Sequence, residues 1–461
     1  MKRKKILKAL ICSALSFSLV TGGLQVQAAP AVQTPNYCTV TEVFDWGPSI
    51  SKLIVNLGTR INQRDIDNQT FKVQVRRVLA EGSLTIAEAM AVQNPIVTLG
   101  SEARDGADLV GERQVTHVFV CDEKGNPASS GNFVTIEMSV SPTNNLAAAL
   151  NFDLKTFLND FVTPEYTITL NKNLGNLNKN NFVVSYRAGN IRPIVDEFTF
   201  GHYKLIDEPA LQFGKTLGYA AYAPKNISGK VPLIVWLHGG GEGGQNTPSL
   251  PIMGNKATML AESPIQDYFG GAYVLAPQCP TAWMEGYEGW ADGKPIYEDI
   301  LMALIKDLVA SNPNIDQNRI YVGGDSNGGY MTLCLARDYP GYFAAGFPVC
   351  EGLNDRLISN GDLENIAKTP LWFVAAKTDT TLPPDINSVP TVARLREIGA
   401  NVHFSYYDDV HDTSGLYKKD DGTPHVYAGH WSWIYVHNNE VEEVINGRTV
   451  KLFEWLAQQR R

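Results

Sequence analysis

The chain has 461 residues, of which 44% are hydrophobic and 19% charged. That excludes a largely disordered chain, and the length suits roughly two to four domains. The formal charge is −9, and the first 28 residues carry five Lys/Arg and no acid, so the remainder stands at −14. So acidic a chain argues against nucleic acid or an anionic membrane as its main partner.

Lys2, Arg3, Lys4, Lys5 and Lys8 precede an apolar stretch from Ala9 to Val20. Val26-Gln27-Ala28 then offers a cleavage site before Ala29. This order predicts an export signal over residues 1–28 and a secreted protein. The apolar stretch is shorter than the ~20 residues that a membrane span needs. No later segment has a long enough apolar run, so no membrane span is expected. Beyond Cys12 five cysteines remain: Cys38, Cys121, Cys279, Cys334 and Cys350. An odd number leaves at least one free thiol. Cys38 and Cys121 could pair if their strands are adjacent; five free, mostly buried thiols are the alternative. No Cys/His spacing suggests a metal site.

Residues 37–195 read as an all-β sandwich. Lys52–Leu57, Phe71–Arg77, Thr116–Cys121, Phe133–Val140 and Tyr166–Leu170 are short runs rich in Val, Ile, Thr and aromatics. Gly, Asn, Asp and Pro clusters separate them. Leu84–Gln93 reads as a helix. No nucleophile, base or metal ligand clusters here, so the region is expected to pack or to bind.

Residues 198–461 follow a different pattern. Val231–Leu237 is a continuous apolar run, as in a parallel strand buried on both faces. Ala272–Ala276, Arg319–Gly323, Ala344–Val349, Leu371–Ala375 and Val402–Tyr407 repeat it, with helices expected over Pro295–Val309, Asn327–Arg337 and Pro390–Ile398. Pro390 suits a first helical position. A last helix is expected over Val450–Gln459. The alternation predicts a doubly wound α/β sheet.

Gly324-Asp325-Ser326-Asn327-Gly328 lies between the Arg319–Gly323 strand and a helix. This is a G-x-S-x-G elbow in strand–turn–helix context, with Ser326 as nucleophile. A serine hydroxyl needs a base, and the base needs an acid to orient it. The chain order of such sheets is Ser, acid, His. Asp379 follows the Leu371–Ala375 strand. His411, His425 and His430 all follow the last strand, and spacing leaves His411 and His430 nearly even. Asn327 and the Gly239-Gly240-Gly241 loop are candidates for the oxyanion hole, because glycines let backbone amides approach a substrate. Neither a GK[ST] nor a GxGxxG pattern is present, which argues against phosphate.

Five motifs in order resemble a known group. They are Leu237-His238-Gly239-Gly240-Gly241-Glu242, Ala276-Pro277-Gln278-Cys279-Pro280 with Trp283, and Gly324-Asp325-Ser326-Asn327-Gly328-Gly329. Asp379 with Leu382-Pro383, and Gly429-His430-Trp431-Ser432-Trp433 with Phe453-Glu454-Trp455-Leu456, complete the set. Residues 198–461 resemble secreted α/β-hydrolase esterases labelled "predicted peptidases", related to polyhydroxybutyrate depolymerases and feruloyl esterases. Trp46-Gly47-Pro48, Lys52–Leu57 and Thr116–Cys121 give the first region a likeness to the immunoglobulin-like domain that precedes the hydrolase in some of them.

The resemblance favours His430 over His411. It implies a serine carboxylic-ester hydrolase acting through an acyl-enzyme, with Ser326, Asp379 and His430 as triad. Asn327 with Gly240 or Gly241 forms the oxyanion hole, and Glu242 braces the loop. Neither metal nor cofactor is implied. The substrate is an ester, small molecule or polymer, with Trp283, Tyr287, Trp290 and Trp431 as candidate contacts. The long segment between the last strand and His430 departs from the family pattern; its Lys418-Lys419-Asp420-Asp421-Gly422 run reads as a solvated turn, and the segment could serve as a lid. The rival readings are a serine peptidase on the same triad and a non-catalytic polymer-binding surface protein. The oligomeric state is not legible.

Overall fold

The computed structural model describes residues 34–79, 110–153, 155–205 and 216–461. The expected export signal and the Leu84–Gln93 helix lie outside them.

The first region is an immunoglobulin-like sandwich. One sheet runs in the order Arg187–Ile191, Asn36–Phe44, Gly47–Asn62, Ser130–Met138, Val115–Cys121. The facing sheet runs Val183–Val184, Thr163–Leu170, Phe71–Val78, Val110–Arg113. Alternation fills the space between them. Val73 and Val75 of one sheet and Leu53, Val55, Val134 and Ile136 of the other share a buried cluster. Cys38 and Cys121 lie on strands separated by two others, so they cannot be bridged. All five described cysteines are free thiols. A separate hairpin, Leu150–Asp153 with Leu158–Phe161, leaves the sandwich.

The second region is an α/β-hydrolase fold. Its eight-stranded sheet runs Thr199–Lys204, Thr216–Tyr222, Tyr273–Gln278, Val231–Leu237, Ile315–Asp325, Ala345–Val349, Leu371–Ala376, Val402–Tyr407. From Tyr273–Gln278 onward the neighbours are parallel. The apolar run of Val231–Leu237 covers both faces. Leu233, Val235 and Leu237 join the layer of Ile300 and Leu301, while Ile234 and Trp236 join the layer of Phe453 and Leu456.

The four helices expected from the sequence span Glu298–Ser311, Asn327–Asp338, Ser388–Glu397 and Leu452–Gln458, and shorter ones lie before and between them. Pro390 is therefore the third residue of its helix, not the first. It is tolerated there because first-turn N–H groups have no intrahelical acceptor. The antiparallel strands Thr199–Lys204 and Thr216–Tyr222, and the hairpin Glu442–Ile445 with Arg448–Lys451, were not expected from the sequence.

The two regions share a core. Trp46, at the turn between the first two sandwich strands, is buried in the hydrolase cluster. Its ring stacks on Phe44 at 4.9 Å and meets Tyr417 edge-on at 4.7 Å. Beside it Lys256 bonds Asp45 and Asn438, each at 2.7 Å. Tyr417 belongs to the segment read as a lid. That segment is a hairpin, with Val410–His411 paired to Val426–Tyr427 and Tyr417 seated against Trp46.

Candidate active site

Strand register brings the functional loops to one edge. Asp325 pairs with Val349, and Val349 with Val374, so two parallel strands end at one level and the third runs two residues further. Ligands bind beyond such carboxyl ends.

Ser326 follows directly. Its backbone sits at φ 55° and ψ −112°, a strained conformation for a residue with a side chain. Backbone contacts hold it there. Ser326 N–H donates to Val349 O at 2.9 Å, and Tyr330 N–H donates to Ser326 O at 3.0 Å. A Cβ on Gly328 would strike the Leu237 carbonyl, so glycine lets the helix approach the neighbouring strand.

Asp379 and His430 are brought together. The His430 Nδ1–H donates to Asp379 Oδ2 at 2.8 Å, in buried surroundings. Asp379 Oδ1 accepts the Thr381 and Leu382 amides, both at 2.9 Å. These bonds orient the carboxylate and leave its other oxygen for the imidazole. Gly429 matters for close approach: a Cβ there would collide with the Thr378 carbonyl group. The other histidines are engaged elsewhere. His411 pairs with Asp409 at 2.6 Å, and His425 packs on Tyr427. Among the described residues no hydrogen bond joins Ser326 Oγ to His430. Such bonds are often long before substrate binds.

The glycine loop folds into a short 3₁₀ turn, Gly240–Glu242. Gly240 and Gly241 begin that turn, so their N–H groups have no acceptor within it. Asn327 begins the helix after Ser326 and is in the same position. The two sets adjoin, since a Cβ on Gly240 would lie 3.1 Å from Asn327 Nδ2. Asn327 Oδ1 in turn accepts the Met284 amide at 3.2 Å.

His238, Asn159 and Asn255, none of which had an expected role, support this loop together with Glu242. His238 is fully buried, and burial pulls its pKa down to about 4. Its Nδ1 donates to Gly239 O at 2.6 Å while Nε2 accepts the Cys279 amide at 3.1 Å. These partners assign the neutral Nδ1–H tautomer. Glu242 is buried and is gripped at both oxygens. Asn159 Nδ2 donates to Oε1 at 2.9 Å, and Asn255 Nδ2 lies 3.4 Å from Oε2. Asn255 also donates to Asp325 Oδ2 at 2.6 Å. Burial pushes Glu242 up to about 7. Burial, then the charge of Glu242, holds Asp325 well above the carboxylate range. The His-Gly-Gly pattern flagged His238. No sequence signal pointed to Asn159 or Asn255.

The candidate substrate aromatics separate into two kinds. Trp283 is fully buried, with its ring 5.2 Å from that of His238 and 6.4 Å from that of Tyr297. It is a core support beneath the glycine loop and lines no open cleft, contrary to expectation. Its apolar ring is drawn into the layer under that loop. Trp431 is half-buried between Tyr427 and Trp433. Tyr287 and Trp290 are exposed, on a loop that leaves Met284 beside the elbow. No helix among the described residues is long and apolar enough to cross a membrane.

Comparison with known proteins bears on both regions. Residues 36–182 match the family described as "Esterase Ig-like N-terminal domain", and residues 281–354 match the "Prolyl oligopeptidase family". Acetylxylan esterase A of Aspergillus ficuum is 25% identical over 166 residues, covering 35% of this chain and 47% of that protein. Acetylxylan esterase A of Emericella nidulans is 26% identical over 135 residues, covering 28% and 40%. The matched part thus spans less than half the length of either relative. The crystal structure of a thermostable esterase aligns with a TM-score of 0.69 at 24% identity, covering 92% of this chain and 100% of that one. In fold and domain order the chain is an α/β-hydrolase fold preceded by a β-sandwich similar to the esterase Ig-like domain, and it resembles the esterases built that way.

Proposed function

We propose that the chain is an exported serine esterase. The observation that carries this reading is the Asp379–His430 bond at the strand edge that also bears the strained Ser326 elbow. Ser326 Oγ attacks the ester carbonyl while His430 Nε2 takes its proton. Asp379 holds the imidazole in the required tautomer. Negative charge develops on the carbonyl oxygen, where the Asn327 amide and the Gly240 or Gly241 amide receive it. The alcohol leaves with the proton from His430. Water then enters by the same route and releases the acid from the acyl-enzyme. Tyr287 and Trp290, exposed on the loop that follows Met284, supply contacts for the acyl or alcohol part.

Export rests on the basic, apolar and small-residue succession of residues 1–28. Sequencing the N-terminus of protein recovered from the medium tests it; a start near Ala29 is expected. The two relatives' names make short acyl esters of carbohydrates the first substrates to try. A panel of p-nitrophenyl esters of rising chain length, feruloyl esters, acetylated xylan and polyester films tests the activity. Turnover by the wild type that is absent in Ser326→Ala is the expected result.

The match of residues 281–354 to the prolyl oligopeptidase family favours one second reading, a peptidase on the same triad. Matched ester and amide substrates separate the two. Faster amide cleavage would replace the esterase reading.

A further inference from the structure

The hairpin Leu150–Asp153/Leu158–Phe161 belongs to the Ig-like region yet ends against the glycine loop of the hydrolase. A Cβ on Gly241 would lie 2.6 Å from Asn159 Nδ2 and 3.6 Å from Phe152, and one on Gly243 would lie 3.2 Å from Leu158. The loop therefore lies between the hairpin on one side and Asn327 on the other. One hydrogen bond crosses the same boundary, Asn159 to Glu242, and two more carry it on within the hydrolase region. Asn159 binds Glu242, Asn255 lies within reach of Glu242, and Asn255 binds Asp325, the residue before the nucleophile.

We infer that Asn159 is a positioning residue for the ester chemistry, supplied by the Ig-like domain and acting on the oxyanion turn through Glu242. This rests on the esterase reading above. The physical reason is the small tolerance of an oxyanion hole. Its donors must lie about 2.7–3.1 Å from the developing charge. Glu242 closes the turn that Gly240 and Gly241 begin, so a shift of its carboxylate moves both amides. Without Asn159, Glu242 Oε1 loses its side-chain donor and the turn relaxes toward another. The amides serve the transition state more than the bound ester, so turnover falls while KM holds.

The test uses the full-length chain and a short-acyl p-nitrophenyl ester. Asn159→Asp, Glu242→Gln and the double variant are compared with wild type by kcat, KM and melting temperature. Asn159→Asp sets two carboxyl groups against each other, and kcat is expected to fall about 10–100-fold with KM within about threefold. The double variant restores an amide facing a carboxylate with the roles exchanged. It should recover at least about tenfold of that loss, which a merely structural defect would not do. If Asn159→Asp does not fold, Asn159→Ala carries the same test of kcat against KM. Ser326-dependent hydrolysis that is unchanged in the Asn159 variants overturns this inference alone. So do strictly additive losses in the double variant. Hydrolysis retained by Ser326→Ala overturns the esterase reading, and this inference with it.

Discussion

The proposed nucleophile elbow and the proposed oxyanion turn lie side by side but are held by different means. Backbone holds the elbow: a strand, a helix, the Val349 carbonyl and glycines that admit close approach. The oxyanion turn is held by side chains: His238 beside it in sequence, Asn255 13 positions beyond Glu242 and, from the other domain, Asn159 83 positions before it. A backbone-built site is specified by its own short segment. A side-chain-built one depends on how whole layers pack. The difference implies that the elbow tolerates change elsewhere, whereas the turn responds to the Ig-like domain.

The largest expected effect bears on the elbow. Ser326→Ala should lower turnover by about 10⁴–10⁶, because in the proposed mechanism His430 and Asp379 act only through that hydroxyl. A fluorophosphonate probe should label Ser326 and lose its target in the variant. Activity within about tenfold of wild type would remove Ser326 from the mechanism.

The turn comes next. Gly240→Val would press on Asn327, and Gly241→Val on Asn159. Each should cost roughly 10²–10³ in kcat, the usual penalty for one lost oxyanion donor. Wild-type kcat in both variants would place the oxyanion donors elsewhere.

Trp46 separates the two uses of the Ig-like region. It is buried in the hydrolase core but far in sequence from the glycine loop. Trp46→Ala should cost stability of about 3–5 kcal/mol, read as a lower melting temperature, with kcat of the folded fraction near wild type. An unchanged melting temperature would show that the shared core is not anchored there. A chain begun at Phe198 would remove Trp46 and Asn159 together, so it cannot divide anchoring from positioning.

The smallest effect is one of pH. Burial raises Glu242 from the ordinary 4.5 to about 7. The folded state then holds this proton more tightly than the unfolded state does. Its contribution to stability is fully present below pH 4.5 and is lost as pH rises to about 7. Glu242→Gln has no such proton, so its melting temperature should fall less across that window. Parallel melting curves for the two proteins would show that Glu242 does not titrate there.

Much of this was legible beforehand, for identifiable reasons. Val231–Leu237 is legible at its observed ends because a strand buried on both faces needs an unbroken apolar run, and Val402–Tyr407, a half-buried edge strand, because its aromatics favour a strand. The elbow was legible because its glycines are demanded by local backbone geometry. Thr216–Tyr222 was not, since its Gly and Ala residues have little strand preference and it is recruited by pairing with Tyr273–Gln278. Trp283 read as a cleft residue because an aromatic beside a catalytic motif does not reveal which side of the loop it occupies.

By itself the sequence determined the two kinds of region, the order of strands and helices, the elbow at Ser326 and a short set of possible acids and bases. These follow from periodicity and from conformational limits acting between near neighbours. Tertiary structure decided that His430 meets Asp379 while His411 turns to Asp409, that Trp283 is core, and that Asn159 reaches Glu242 across 83 positions. Those contacts depend on how sheets, loops and two domains pack, and packing brings together side chains whose spacing along the chain carries no signal.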